Sequence, residues 1–182
     1  ALSRQTETDI KLAHEVLAGT WEALETGRAD LAITPLREDA VMSPGIKTQF
    51  LYQETFVYVA HPRHPIHQET GPLTEEVLSR YRAIAVADTA RFKPPLTFRL
   101  FDKQSRLTVS TMQDKITAVK AGLGISSVPL SWLGDMLERG ELKEVSTSCR
   151  ETTDVVLAWR RDAMGKAKSW LIRQIPALFQ QQ

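Results

Sequence analysis

The chain reads as an α/β protein with mostly parallel sheets, organised as two lobes. Short apolar runs alternate with segments of helical period along its whole length, the pattern of βαβ units. A strand, a helix and a second strand fall within residues 9–33, which implies a parallel crossover. The stiff joint at His61-Pro62 and the return near Val145 are the two places where the chain would cross between lobes.

In order, residues 9–14 predict a strand, with Ile10, Leu12 and Ala13 among polar neighbours. Gly19-Thr20 opens a helix in which Trp21, Leu24 and the stem of Arg28 recur at helical spacing, and Gly27 ends it at a C-cap position. Leu31-Ala32-Ile33 is a short strand stopped by Thr34-Pro35. Residues 37–45 form a polar loop with a Pro-Gly turn. Residues 50–60 are β-prone, carrying Phe50, Tyr52, Phe56, Val57, Tyr58 and Val59, until two His-Pro pairs break the chain. Thr74 begins a helix whose first turn carries Glu75 and Glu76, where the positive end of the helix dipole favours them. Residues 83–86 make the next strand, and 88–95 a loop stiffened by Pro94-Pro95. Residues 96–100 and 106–109 alternate like strands. Ser110-Thr111 caps a helix holding Met112, Ile116, Val119 and Ala121, ended by Gly122 and Gly124 ahead of a buried strand over 125–128. A short helix over 132–138, ended by Gly140, strands at 142–145 and 155–159, and a closing helix over 166–179 complete the reading. Pro176 should end or kink that last helix.

Composition narrows the function. Lys and Arg total 23 against 22 Asp and Glu, a net charge of +1. A domain that grips DNA unaided carries a basic excess or stripe, and none is evident. No apolar run reaches the roughly 18 residues of a membrane helix, and the first residues lack the apolar core of a signal peptide. Cys149 is the only cysteine, which rules out an intrachain disulfide and a cysteine-rich metal site; it reads as a loop bystander in a reducing compartment. His61, His64 and His67 are spaced by three, but Pro62 and Pro65 forbid the helix that would turn this spacing into a chelate. No metal or cofactor is therefore expected. The sequence holds no G-x-S-x-G, P-loop or H-E-x-x-H motif, and Gly122-Leu123-Gly124 follows a helix rather than a strand, so it is no phosphate loop. The expectation is a binding domain, not an enzyme.

Three stretches carry a resemblance. They are Glu22-Ala23-Leu24 with Gly27-Arg28-Ala29-Asp30-Leu31-Ala32-Ile33, then Val59-Ala60-His61-Pro62-Arg63-His64-Pro65, then Met112 followed by Ala118-Val119, Ala121-Gly122-Leu123-Gly124-Ile125 and Val128-Pro129. Their order and spacing resemble the effector-binding domain of LysR-type transcription regulators over nearly the whole chain. The resemblance implies a two-lobed, periplasmic-binding-protein-like (type II) fold with helices on both faces of its sheets and two crossing strands as hinge. Lobe I would comprise residues 1–60 and 147–182, and lobe II residues 61–146. It further implies a bacterial, cytoplasmic protein with a small-molecule effector in the inter-lobe cleft and no membrane partner. This domain would form homodimers, within homotetramers at full length, and contact DNA only through a winged helix-turn-helix that normally precedes it. That module and the usual first strand are absent from the sequence, and residues 1–8 resemble the tail of the first helix of lobe I. Trp21, Asp88-Thr89, Trp159-Arg160 and Gly165-Lys166-Ala167 resemble a branch linked to purine, ureide or aromatic effectors. The alternative is a solute-binding receptor of the same fold.

Ligands of open α/β folds collect at the carboxyl ends of strands and at helix N-termini. Thr34 and Pro35 end one strand; Asp88, Thr89, Arg91 and Phe92 follow another. Ser110 and Thr111 offer hydroxyls and backbone N–H groups at a helix start, suited to an anion or carbonyl, and Val128 with Pro129 closes an apolar wall. Each has a plainer reading beside it. Thr111 can be a simple N-cap, Asp88-Thr89 an Asx-type turn, Thr34 a turn residue, and Arg91 a solvated charge rather than a carboxylate clamp beside Phe92. The faces over 19–27 and 112–121 match the helices that pair antiparallel dimers in this family, which assigns Trp21, Leu24, Met112, Ile116 and Val119 to a subunit interface.

Overall fold

The structure is a computed structural model that describes residues 8–36, 44–94, 96–97, 100–146, 150–162 and 164–179. The elements are α1 (Ala18–Glu25), β1 (Leu31–Pro35), β2 (Ile46–Ala60), α2 (Glu75–Ser79), β3 (Ala83–Val86), β4 (Arg106–Val109), α3 (Met112–Lys120), β5 (Ser126–Pro129), β6 (Lys143–Glu144), β7 (Glu151–Arg160) and α4 (Lys166–Phe179). Two compact units emerge. The first takes residues Ala1–Gln53, Asp88–Pro95 and Asp154–Gln182; the second takes Glu54–Ala87 and Leu96–Thr153.

In the first unit, β1 pairs antiparallel with β7, from Leu31 opposite Trp159 to Pro35 opposite Val155. Helix α1 covers this ladder with Trp21 and Leu24, which pack with Ile46, Val156 and Ala158. Gly27 lies at φ +75 just past the helix, the left-handed turn that lets the chain fold back toward β1. In the second unit, β2 pairs antiparallel with β5 and, at its end, with β6. β3 pairs parallel with β4 over four residues, Ala83 opposite Arg106 to Val86 opposite Val109. Helix α3 lays Ile116, Ala118 and Val119 into a core with Val57, Val59, Ile84, Val128, Leu133 and Leu142.

The α/β class holds, and the sheets are mixed rather than mostly parallel. Residues 9–14 form no strand: they are irregular and exposed, with Leu12 92% exposed. Alternation of apolar and polar residues makes a strand only where a neighbour takes up its backbone groups. The parallel crossover inferred for residues 9–33 is therefore not formed, and β1 finds an antiparallel partner instead.

The helix expected over 132–138 is not formed: a single 3-10 turn at Leu130–Trp132 is followed by turns over residues 133–138. Gly134, at φ +51, interrupts helical propagation there. Pro65–Gln68 is a 3-10 turn, which proline at its first position permits. Helix α4 continues through the buried Pro176 to Phe179 rather than stopping at it. Of the strand expected over 96–100, residues 96, 97 and 100 lie outside any strand, and 98–99 are outside the described residues. Most of the 37–45 loop, the 1–7 segment, Cys149 and the Gln180–Gln182 tail also lie outside them. Among the described residues no helix is long and apolar enough to cross a membrane.

Candidate functional site

Helix α1 starts without a cap of its own. Leu17 precedes it in the left-handed region at φ 53 and offers no side-chain acceptor. The first N–H groups are instead taken by Asp88, distant in sequence. Its Oδ2 accepts from Ala18 at 3.2 Å, and its Oδ1 from Gly19 at 3.1 Å and from Ala90 at 2.8 Å. Thr89 Oγ1 accepts from Val16 N–H at 2.8 Å and donates back to Val16 O at 3.3 Å. The bond from Asp88 to Ala90 is the Asx-type turn, and the longer bonds make Asp88 a helix cap as well.

The reciprocal anchor comes from the helix. Glu22, 2% exposed, turns its carboxylate onto three successive backbone N–H groups: Arg91 at 3.0 Å, Phe92 at 2.9 Å and Lys93 at 3.0 Å. Such consecutive amides form a concave nest for an anion. The Phe92 N–H, against the opposing effect of burial and with help from Arg91, Lys93 and the Arg28 charge, holds the carboxyl below the usual range. This leaves the side chains of Arg91 and Phe92 outward, Phe92 82% exposed. The sequence reading missed Glu22, because an acidic residue in a short helix looks like surface until its face is known to be buried.

Thr111 is the N-cap of α3. Its Oγ1 accepts from Asp114 N–H at 3.1 Å and donates to the Asp114 carboxylate at 2.7 Å, while Ser110 stays exposed. Thr34 is buried within β1 opposite Val156, with exposed Pro35 next to it. Val128 is fully buried in the core of the second unit, and Pro129 pairs with Phe56. The structure thus gathers Asp88, Thr89, Arg91 and Phe92 in one loop held to α1, and Ser110 with Thr111 at one helix start.

Trp21, Leu24, Ile116 and Val119 are buried in the chain's own cores, and Met112 packs partly buried against one of them. The exposed side chains on α3 are Gln113, Asp114, Thr117 and Lys120.

Lys115 was also missed by sequence. It is 8% exposed, and its Nζ donates to Ser127 O at 2.7 Å. Burial pushes its ammonium down to about 8. His64 Nδ1 accepts from Ile66 N–H at 3.2 Å, and burial lowers the pKa of both His64 and His67. Among the described residues no group of three or more His, Cys, Asp or Glu is placed to hold a metal.

Residues 2–180 match the family model described as LysR substrate binding domain. The chain belongs to this family of regulator domains. It is 49% identical over 178 residues to the probable HTH-type transcriptional regulator YhaJ of Escherichia coli K12, covering 98% of this chain and 59% of that protein. It is 30% identical over 168 residues to the uncharacterized HTH-type transcriptional regulator YeeY of the same organism, covering 90% of this chain and 53% of that protein. Full-length LysG from Corynebacterium glutamicum shares the fold at a TM-score of 0.69 and 16% identity, over 99% of this chain and 60% of that one. The chain therefore spans between half and two thirds of the length of these relatives. The fold is that of the LysR regulatory domains, as the resemblance implied.

Proposed function

We propose that this chain is the effector-sensing and assembly portion of a longer LysR-type transcription regulator. A small molecule bound here would bias DNA binding by a helix-turn-helix module carried elsewhere in that protein. The observation that carries this reading is the family match over residues 2–180, joined to relatives that are named HTH-type transcriptional regulators. The reading takes the domain to be non-catalytic and cytoplasmic.

The effector contacts proposed are Ser110 and Thr111 at the start of α3, Arg91 and Phe92 at the tip of the anchored loop, and Thr34, Pro35, Val128 and Pro129 at strand ends. Asp88 and Thr89 belong to this set through the shape they give the loop, since their side chains hold α1. Arg91 suits a carboxylate, and Phe92 a planar ring. These favour purine, ureide or aromatic-acid effectors. Self-association is proposed through the 19–27 and 112–121 segments, at side chains left exposed there, among them Thr26 beyond α1 and Gln113, Asp114, Thr117 and Lys120 on α3.

The test is a thermal-shift screen of the chain against those three compound classes, repeated on Thr111→Val and Thr111→Ser. A ligand at about 100 times its dissociation constant adds roughly 2.7 kcal/mol of stability. Valine removes the cap as well as the hydroxyl, at a cost of about 1 kcal/mol in the free protein, whereas serine keeps both. The expected outcome is a ligand-induced shift lost in the valine variant and retained in the serine variant. An equal shift in all three proteins would remove Thr111 from the site.

A further inference from the structure

The chain leaves β2 through His61-Pro62-Arg63-His64-Pro65-Ile66-His67, in which a histidine recurs at every third residue. A proline that follows a histidine has no N–H to give, so the first free donor lies two residues on. In both His-Pro pairs the imidazole takes that donor. His61 Nδ1 accepts from Arg63 N–H at 3.1 Å, and His64 Nδ1 accepts from Ile66 N–H at 3.2 Å. Only a neutral ring with its proton on Nε2 makes such a bond, because the imidazolium carries an N–H at both positions. The backbone keeps the same rhythm: His64 N–H donates to His61 O at 2.8 Å, and His67 N–H to His64 O at 3.1 Å. The turn closed in this way seats Ile66, fully buried, in a core with Tyr58, Ala60, Leu78, Ile125 and Val145.

The surroundings of the rings disfavour a charge. Among the described residues His67 Nε2 is buried with no hydrogen-bond partner. Burial, then the charges of Lys143 on β6 and of His61, holds His67 below the ordinary value of 6.5, with a backbone hydrogen bond to His61 opposing them. Burial, then His67 and His61, holds His64 below the same value. The His64 ring meets the Tyr81 ring edge-on, with centroids 5.3 Å apart. The Tyr81 hydroxyl donates to Glu69 Oε1 at 2.5 Å, which engages the carboxylate of this segment. The end of α3 brings only Gly122, where an added Cβ would lie 3.8 Å from His61 Cβ. Among the described residues no carboxylate stands at ion-pair distance from any of the three rings.

We propose that residues 61–69 are a proton-operated latch within the second unit: neutral rings hold the turn shut over Ile66, and protonation sets N–H against N–H at both caps and releases it. The latch does not draw on the proposed effector contacts. The freed rings of His64 and His67 titrate near 6.5 and the closed ones lower. Closure is therefore fully favoured above 6.5 and is lost as pH falls from there toward the lowered values.

The test is amide hydrogen exchange of the wild-type chain at Arg63, Ile66 and His67, from about pH 7.5 to about pH 5, corrected for the intrinsic pH dependence of exchange. Protection at these amides should fall severalfold as the pH drops, in step with titration of the His64 and His67 imidazole nitrogens, while the β2–β5 ladder keeps its protection. The double variant His61→Asn with His64→Asn keeps a side-chain acceptor for the N–H two residues on but does not titrate. It should stay protected at the upper pH and lose most of the pH dependence, whereas His14→Asn, in the first unit, should respond as the wild type does. The latch is disproved if the wild-type amides keep full protection down to about pH 5, or if the double variant opens over the same range as the wild type. Equal loss of protection along the β2–β5 ladder would mark general acid unfolding and would overturn it as well. The wild-type titration decides the matter even where the double variant does not fold.

Discussion

Glu22 shows how one side chain fixes a loop. Its carboxylate has lost almost all contact with water and regained three N–H donors from residues 91–93, with Arg28 Nη2 at 3.5 Å. Glu22→Gln keeps the size but turns an NH2 group onto donors, so the nest faces a donor where it had an acceptor. The variant should have a lower urea midpoint at pH 7, with its largest amide-exchange gain over Arg91, Phe92 and Lys93. The folded carboxyl is held below its ordinary value of 4.5. Its stabilisation is therefore fully present above that value and is lost as pH falls through the depressed folded one. The gap between the two proteins should be widest near neutrality and narrow below about pH 4. A gap that stays constant down to pH 3 would mean that the charge contributes nothing.

At the scale of elements, α1 and the 88–93 loop form one structure closed by two carboxylates, each capping the other's backbone. The closeness is visible at Gly19, where an added Cβ would lie 2.0 Å from Thr89 Oγ1 and 2.8 Å from Ala90 N. A helical glycine changed to alanine ordinarily gains about 1 kcal/mol. Here the overlap costs about 1–3 kcal/mol, so Gly19→Ala should destabilise in a urea melt, while Gly165→Ala, which meets nothing within 4 Å, should not. An unchanged midpoint for Gly19→Ala would show that the loop moves aside at no cost. Sequence patterns capture part of this level. β3, β4 and α4 are read at their observed bounds because dense apolar runs or strong helical period mark them, and Thr111 is read as a cap from its place before a helix. The false strand at 9–14 and the false helix at 132–138 arise where local pattern exists without a ladder partner or across Gly134. The Asx-type turn at Asp88 is legible locally, whereas Glu22, Lys115 and the bonds of Asp88 to α1 escape local reading for one reason: each joins groups far apart along the chain or hidden beneath a helix, and no short window of sequence contains both partners.

For the whole molecule the governing quantity is charge. Its 23 basic side chains are matched by 22 acidic ones, and several are consumed locally. Arg28 pairs with Glu15 and Glu22, Lys93 with Glu25, Lys120 with Glu141, and Arg139 with Asp135 and Glu141. Binding to duplex DNA draws most of its free energy from counterions released as Lys and Arg neutralise phosphates, and each such contact steepens the salt dependence. A chain this balanced has little to release. Fluorescence anisotropy with a labelled duplex should show no sequence-selective binding at about 0.15 M salt, and only weak association when salt is lowered to about 0.05 M. The same measurement on a protein that joins this domain to a helix-turn-helix module should show selective binding that responds to effector. If the chain alone bound one duplex selectively, with affinity surviving physiological salt, DNA recognition would have to be placed within this domain, and its reading as the sensing part of a regulator would fail.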